Sequence, residues 1–439
     1  MSTPIYDALL KYKNDCHTRC HTPGHSGVSA ALPLFAEILP FDATEIAGLD
    51  SLYDAKGVIS ECEENLASLF SVKKSLISAG GCTLAIQAML ALAIKQGEKI
   101  AVCRNAHRSV ISALALLGAE PKWLFQDSNG LVTPQIVEEL FLKENELKAV
   151  FITSPDYYGR ISDIKKISEV CHRHGVPLLV DNAHGSHLMF FKLNPTDFGA
   201  DMAACSLHKT LPVLTGGAVL NINNSKFIGN AKQSMALFGS TSPSYLIMSS
   251  IDLFTDWAKT AQPQFERVKA KTDSLKLVAA SRNILPDFSR VDPIRLTLRV
   301  SNIGISGHEA MKCFSDYKVT PEYFDDEYVV LILTPFMCEK DFSAIKKAIL
   351  NLPEGNSLRR KNIPDFPENE TVLLPREAIF SESEDIPLIT AENRVASEVI
   401  CPCPPGIPAV IPGEKISREA LEYLLCLGYK KIKVVKQNV

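Results

Sequence analysis

Residues 76–97 read LISAGGCTLAIQAMLALAIKQG: a short apolar run, a Gly80-Gly81 turn, then an apolar stretch of helical length. The unit recurs downstream. KIAVCRN (99–105) leads into HRSVISALALLGA (107–119), AVFITSP (149–155) into DIKKISEVCHRHG (163–175), and VPLLVD (176–181) ends at a polar loop. Short apolar runs alternating with amphipathic helical stretches predict an α/β fold, a mostly parallel sheet covered by helices. Ligands of such sheets bind beyond the carboxyl ends of the strands, so chemistry is to be sought in the polar segments that close each run. Those segments hold Gly80, Gly81, Cys82, Thr83, His107, Tyr158, Asp181, His184 and the string Ser206 to Lys209.

Outward from this core the pattern changes. The residues before about Asp50 read as an irregular arm. After about Asp256 one long helix through Lys276 is followed by VDPIRLTLRV (291–300) and YVVLILTPF (328–336), which suggest a smaller mixed sheet. Beyond about Pro364 prolines become frequent, and SREALEYLLCLG (417–428) reads as a last helix. The predicted organisation is an arm (1–50), a large domain (51–260), a small α+β domain (261–363) and a C-terminal domain (364–439).

With 439 residues, 46% of them apolar and 22% charged, the chain is an ordinary globular protein large enough for several domains. A net charge of −4 from intermingled acids and bases argues against nucleic acid and against a membrane surface, and favours a small-molecule partner. MSTPIYDALLKYKND lacks the cationic start and apolar core of a secretion signal, and no run is long enough to span a bilayer. A cytoplasmic location is expected, with the twelve scattered cysteines reduced and Cys103, Cys171 and Cys205 acting as small buried hydrophobes. Cys16, His17, Cys20, His21 and His25 match no common zinc spacing, so no metal is predicted, and Cys401-Pro-Cys403 reads as a structural turn.

The most informative string is Ser206-Leu-His-Lys209-Thr, followed by Thr215-Gly-Gly217. A lysine held in a desolvated strand-end loop can act as an imine-forming nucleophile, although a lone lysine is more often a surface amine. Asp181 directly follows a buried-looking run, where an unpaired carboxylate is costly and a cation is needed. A protonated pyridine nitrogen is one such cation; a helix cap or an ion pair is the plainer alternative. His107 opens a helix just past a strand and can either stack on an aromatic ring or cap that helix. The turn at Gly80 to Thr83 offers backbone N–H groups and a helix dipole to a phosphate, with Ser206 and His208 as further donors.

These strings resemble the ornithine/lysine/arginine decarboxylase family of fold-type-I pyridoxal-phosphate (PLP) enzymes, in its short form. The resemblance is carried by His21-Thr-Pro-Gly-His25, Thr44 to Asp50 (TEIAGLD), Arg104-Asn-Ala-His107 and Thr153 to Gly159 (TSPDYYG). It continues through Asp181 to His187 (DNAHGSH), Ser206 to Leu211 (SLHKTL), Ser240 to Tyr245 (STSPSY), Pro404 to Pro408 (PPGIP) and Pro412-Gly-Glu414, in order over nearly the whole chain. It implies an aspartate-aminotransferase-like large domain with smaller α+β C-terminal domains. It also implies Lys209 as the Schiff-base lysine, Asp181 on the pyridine nitrogen, His107 on the ring, His184 beside the cofactor, and Gly81, Cys82, Thr83, Ser206 and His208 around the phosphate. Ser240 and Thr241 would reach the phosphate of a partner subunit, which implies a homodimer with shared active sites. The chain departs from the family pattern in having Cys82-Thr83 then Leu84-Ala85 in the phosphate loop, Cys403 where an aromatic is common and Asn393 where glycine is common.

The activity so implied is decarboxylation of arginine, lysine or ornithine to an amine of polyamine biosynthesis, with Lys209 or His208 returning the proton. Asp50 and Glu398 are candidate carboxylates for the basic side chain. The rivals are an aminotransferase or carbon–sulfur lyase of the same fold, with Arg394 as carboxylate clamp, and a catalytically idle paralogue acting as a binding subunit.

Overall fold

The computed structural model describes residues 2–30, 32–355, 367–401 and 408–437. The C-terminal turn motif Pro404 to Ile407, the Cys403 departure and the boundary expected near Pro364 lie outside the described residues. In chain order the elements are α1 (Pro4–Asn14), α2 (Val58–Leu69), β1 (Lys74–Ser78), α3 (Gly81–Ala93), β2 (Lys99–Cys103), α4 (Arg108–Leu117), β3 (Glu120–Leu124), α5 (Pro134–Lys143) and β4 (Leu147–Thr153). They continue with α6 (Ile164–Arg173), β5 (Leu178–Asp181), β6 (Met202–Cys205), α7 (Leu207–Thr210), β7 (Ala218–Ile222), α8 (Ala231–Phe238), α9 (Tyr245–Ala258) and α10 (Gln262–Ser281). The last are β8 (Arg295–Arg299), α11 (Gly307–Asp316), β9 (Tyr323–Phe324), β10 (Tyr328–Ile332), α12 (Glu339–Leu350), α13 (Pro375–Phe380), β11 (Ser383–Pro387), α14 (Arg418–Cys426) and β12 (Lys431–Val435). None of the described helices is long and apolar enough to cross a membrane.

Two units are distinguished, Met1–Ala93 with Ile164–Pro263, and Ile94–Asp163 with Gln264–Val439. In the first, strands run in the order β1-β7-β6-β5. β5 and β6 are parallel with Asp181 opposite Ala204, whereas β7 is antiparallel to both β6 and β1. Every residue of β5, β6 and β7 is buried, which is why these strands read as unbroken apolar runs and not as alternation. At the start of α3, Gly81 takes φ +70°, a left-handed value glycine adopts without strain, and its N–H donates to Gly216 O (2.8 Å). That bond ties the glycine turn before α3 to the Thr215-Gly-Gly217 segment.

The N-terminal segment differs from the irregular arm expected at its start. Pro4 is preset for the first helical turn, and Ile5 and Leu9 are fully buried, so residues 4–14 fold as α1 against α2 and α9. Asp252 of α9 fastens its N-terminus, with Oδ2 accepting from Ile5 N (2.8 Å) and Tyr6 N (3.0 Å). The long helix expected after Asp256 is α10, which begins at Gln262, separated from α9 by a short break after Ala258, and runs to Ser281. Pro263 lacks the N–H that a continuing helix would need, and the chain breaks just before it.

In the second unit β4-β2-β3 is parallel throughout. The smaller sheet, β8-β10-β9, is antiparallel rather than mixed. Only residues 325–327 join β9 to β10, too short for the crossover that a parallel pair requires, and Asp325 Oδ1 closes this hairpin on Glu327 N and Tyr328 N (2.7 Å each). Near the C-terminus β11 and β12 pair antiparallel, and Leu388, Ala396, Val410, Ile416, Leu424 and Val434 form a core beside them. Asn393 takes φ +64°, a left-handed conformation that asparagine tolerates better than other side-chain-bearing residues, consistent with a position where glycine is common.

Candidate active site

In the first unit the polypeptide leaves β6 directly into α7, which carries Lys209. Lys209 Nζ lies 2.9 Å from His184 Nε2. An ammonium can only donate, so with Lys209 protonated His184 accepts at Nε2. His184 follows β5 in a buried loop and is 7% exposed; Asp181, the last residue of β5, is 3% exposed and its Oδ1 accepts from Ala183 N (3.0 Å). His208 Nδ1 sits 3.2 Å from Gly217 O and 3.2 Å from the buried Ser206 Oγ. Because a carbonyl oxygen only accepts, Nδ1 carries the proton, which makes Nε2 the ring's basic nitrogen.

At the N-terminus of α3, Cys82 is buried and Thr83 is exposed. Burial pushes the Cys82 thiol well above its ordinary range; Asp181 and Cys205 add to this and Lys209 opposes it. The thiol is thus a protonated, weak donor that feels both the Asp181 and the Lys209 charge. Beside Gly81 there is open space, with nothing within 4 Å of where a Cβ would stand. Below the loop, burial pushes the Cys205 thiol up to about 12, and Asn182 Nδ2 donates to its sulfur (3.3 Å). Thr210 Oγ1 is buried without a hydrogen-bond partner among the described residues.

The structure therefore brings together Asp181, His184, Lys209, His208, Ser206 and Cys82. It does not bring Ser240 and Thr241 to them. That pair lies exposed between α8 and α9, with Ser240 Oγ accepting from Ser242 N (3.2 Å). Asp50 is engaged elsewhere, its carboxylate accepting from the backbone N–H groups of Ser51, Lys56, Gly57 and Ile59 at the start of α2. Burial raises its pKa, but these four bonds prevail and the net shift is downward. In the second unit His107 is the N-cap of α4, and its Nδ1 accepts from Ser109 N (3.2 Å). Glu398 is exposed and accepts from Lys433 N (3.2 Å), while Arg394 donates to Glu384 Oε1 (2.7 Å) and Val435 O (3.0 Å).

In the N-terminal motif, His21 pairs with Tyr12 Oη (2.6 Å) and His25 with Asp42 Oδ2 (3.2 Å). Among the described residues no group of His, Cys, Asp and Glu is placed to hold a metal ion.

One pairing went unassigned in the sequence although both partners stood in quoted motifs. Arg104 and Glu414, 1% and 2% exposed at their side chains, form an ion pair at 3.2 Å. Arg104 also donates to Pro408 O and Ala409 O (3.2 Å), and Glu414 accepts from Ile411 N (2.9 Å) and Asn369 Nδ2 (3.2 Å). Burial alone lowers the Arg104 pKa and raises that of Glu414, and each partner's charge opposes the other's shift. An arginine closing a buried strand was the available signal, since such a charge requires a carboxylate.

The Orn/Lys/Arg decarboxylase major-domain model matches residues 3–285, and that family's C-terminal-domain model matches residues 367–432. An uncharacterized protein, YaaO, of Bacillus subtilis (strain 168) is 32% identical over 97% of this chain and 94% of its own length. An arginine decarboxylase of Halalkalibacterium halodurans is 29% identical over 96% of this chain and 92% of its own. Among solved structures, the Francisella novicida lysine decarboxylase LdcF shares the fold with a TM-score of 0.86, at 18% identity over 99% of this chain and 81% of that one. With the family's major-domain and C-terminal-domain models matched in order, the chain belongs to the Orn/Lys/Arg decarboxylase family.

Proposed function

We propose that this chain is a PLP-dependent decarboxylase of a basic amino acid, with arginine the first substrate to test because it is the one named for the well-covered decarboxylase relative. The observation that carries the reading is the convergence, in one unit, of the Lys209 amine, the buried Asp181 carboxylate and the N-terminus of α3. These residues fit PLP. Lys209 presents a primary amine to an aldehyde, Asp181 a negative charge to a ring nitrogen, and the open space at Gly81 lets a phosphate approach backbone N–H groups. Thr83, Ser206 and the unpartnered Thr210 hydroxyl add neutral donors.

When bound, PLP supplies the electron-accepting ring that makes loss of an α-carboxylate feasible. The buried Asp181 carboxylate would hold the ring nitrogen protonated, as a fixed charge that needs no reorganisation during the reaction. Lys209 Nζ or His208 Nε2 delivers the proton that replaces the lost carboxylate on carbon. The bond from His208 Nδ1 to Gly217 O holds that imidazole in one orientation and tautomer. The exposed Ser240-Thr241 pair is available to a second copy of the chain, which supports a homodimer in which these hydroxyls complete the partner's phosphate site.

Purified protein incubated with PLP and, separately, arginine, lysine or ornithine should release carbon dioxide and the matching amine. Lys209→Ala should abolish turnover and the absorbance band near the visible edge. Keto-acid formation without carbon dioxide would favour the aminotransferase reading, and an undiminished band in Lys209→Ala would remove the assignment.

A further inference from the structure

Lys209 and His184 are both bases, and their nitrogens stand 2.9 Å apart. At that distance a proton can pass directly from one nitrogen to the other, with the donor on one side and the lone pair on the other. Other groups face the pair. Asp181 at the end of β5 offers one negative charge, the Cys82 thiol on α3 and the Cys205 thiol on β6 are kept neutral by burial, and His208 on α7 is tied to Gly217 O. The proton can sit on either base without adding charge to the pocket.

We propose that His184 is the base that frees Lys209 for its reaction with an aldehyde, an inference that rests on the PLP reading above. Nε2 of His184 removes a proton from the Lys209 ammonium, and the Nζ lone pair attacks the aldehyde carbon. The N–C bond forms, an N–H proton passes to the former carbonyl oxygen, and the proton held by His184 goes to the departing hydroxyl. One water leaves and a protonated C=N bond remains, with no other reactant consumed. His184 thus exchanges a proton directly with the reacting nitrogen of Lys209 and is a catalytic residue as well as a cofactor neighbour.

The test is the rate at which cofactor-free protein forms the C=N bond with added PLP, followed by stopped-flow absorbance near the visible edge and by borohydride trapping with mass spectrometry. Glutamine can hold the amine through its amide oxygen but cannot take up a proton. His184→Gln should therefore slow bond formation by about 10²-fold near neutral pH, in line with general-base contributions. His184→Ala should be equally slow and partly rescued by free imidazole. A His184→Gln variant that reacts at the wild-type rate overturns the inference and leaves only a positioning role. Wild-type protein that never forms the bond overturns the PLP reading instead, so the two failures are distinguishable. If neither variant folds, the wild type decides alone. Its rate levels off above the imidazole range, ~6.5, if His184 is the base, and keeps climbing through about pH 8 if hydroxide alone frees the amine.

Discussion

Asp252 makes the stability of the N-terminal helix pH-dependent with a definite sign. The residue is 0% exposed and its Oδ2 accepts from Ile5 N and Tyr6 N at the first turn of α1. Burial is the largest influence and pushes the carboxyl from 3.8 up to about 6, against the pull of the Tyr6, Cys62 and Ile5 hydrogen bonds and with a push from Asp7. A rise from 3.8 to about 6 corresponds to on the order of 3 kcal/mol. The docked state holds the proton to higher pH than the undocked state, so the contribution is fully present below about 3.8 and fades as pH rises through about 6.

Asp252→Asn removes the titration and retains an oxygen for the two N–H groups. Hydrogen exchange of the α1 amides, corrected for intrinsic rates, reads the effect locally without requiring the whole chain to unfold as one unit. Wild-type protection of α1 should fall between about pH 3.8 and about pH 6 and stay low above that, whereas the variant should hold steady and exceed the wild type at the upper end by ~1–3 kcal/mol. Parallel pH profiles for the two proteins, or weaker protection of the variant at high pH, would refute the reasoning.

Removing one member of the buried Arg104–Glu414 pair should cost ~3–5 kcal/mol, because the other charge is stranded, whereas replacing both by methionine should recover much of that. Denaturant midpoints of the two single variants and the double variant check this. Gly413→Ala should be destabilising by more than ~2 kcal/mol. Its φ of +93° strains any side chain, and the new Cβ would stand 2.1 Å from Leu373 O; thermal unfolding beside the silent exposed control Leu142→Ala measures it.

Much of the fold was legible because its central strands are buried on both faces and so appear as bare apolar runs, each ending at a polar loop. The Lys209 neighbourhood was legible for the same reason. Asp181 and the Ser206–Lys209 string sit at adjacent strand ends, and two parallel neighbours must bring those ends together. Helix α1 was not, since its eleven residues are marginal alone and are held by Asp252, which lies 247 positions away from Ile5. The roles of Asp50 and His107 stayed open because capping is decided by backbone geometry, and a carboxylate or imidazole in a motif carries no mark of whether backbone N–H groups will occupy it. The hairpin at Asp325 was hidden by the shortness of β9, only two residues long.

The ion pair between Arg104 and Glu414 joins positions 310 apart along the chain. During synthesis the arginine leaves the ribosome long before its counter-charge exists, and a guanidinium cannot shed its proton to wait in an apolar setting. The parallel strands β2 and β4 can therefore pair early, but the arginine at the end of β2 must stay hydrated until the last part of the polypeptide arrives. Drying of that site therefore waits on the pairing of two charges far apart in the chain, and a polypeptide lacking Glu414 would keep a solvated charge where the folded protein has a dry one.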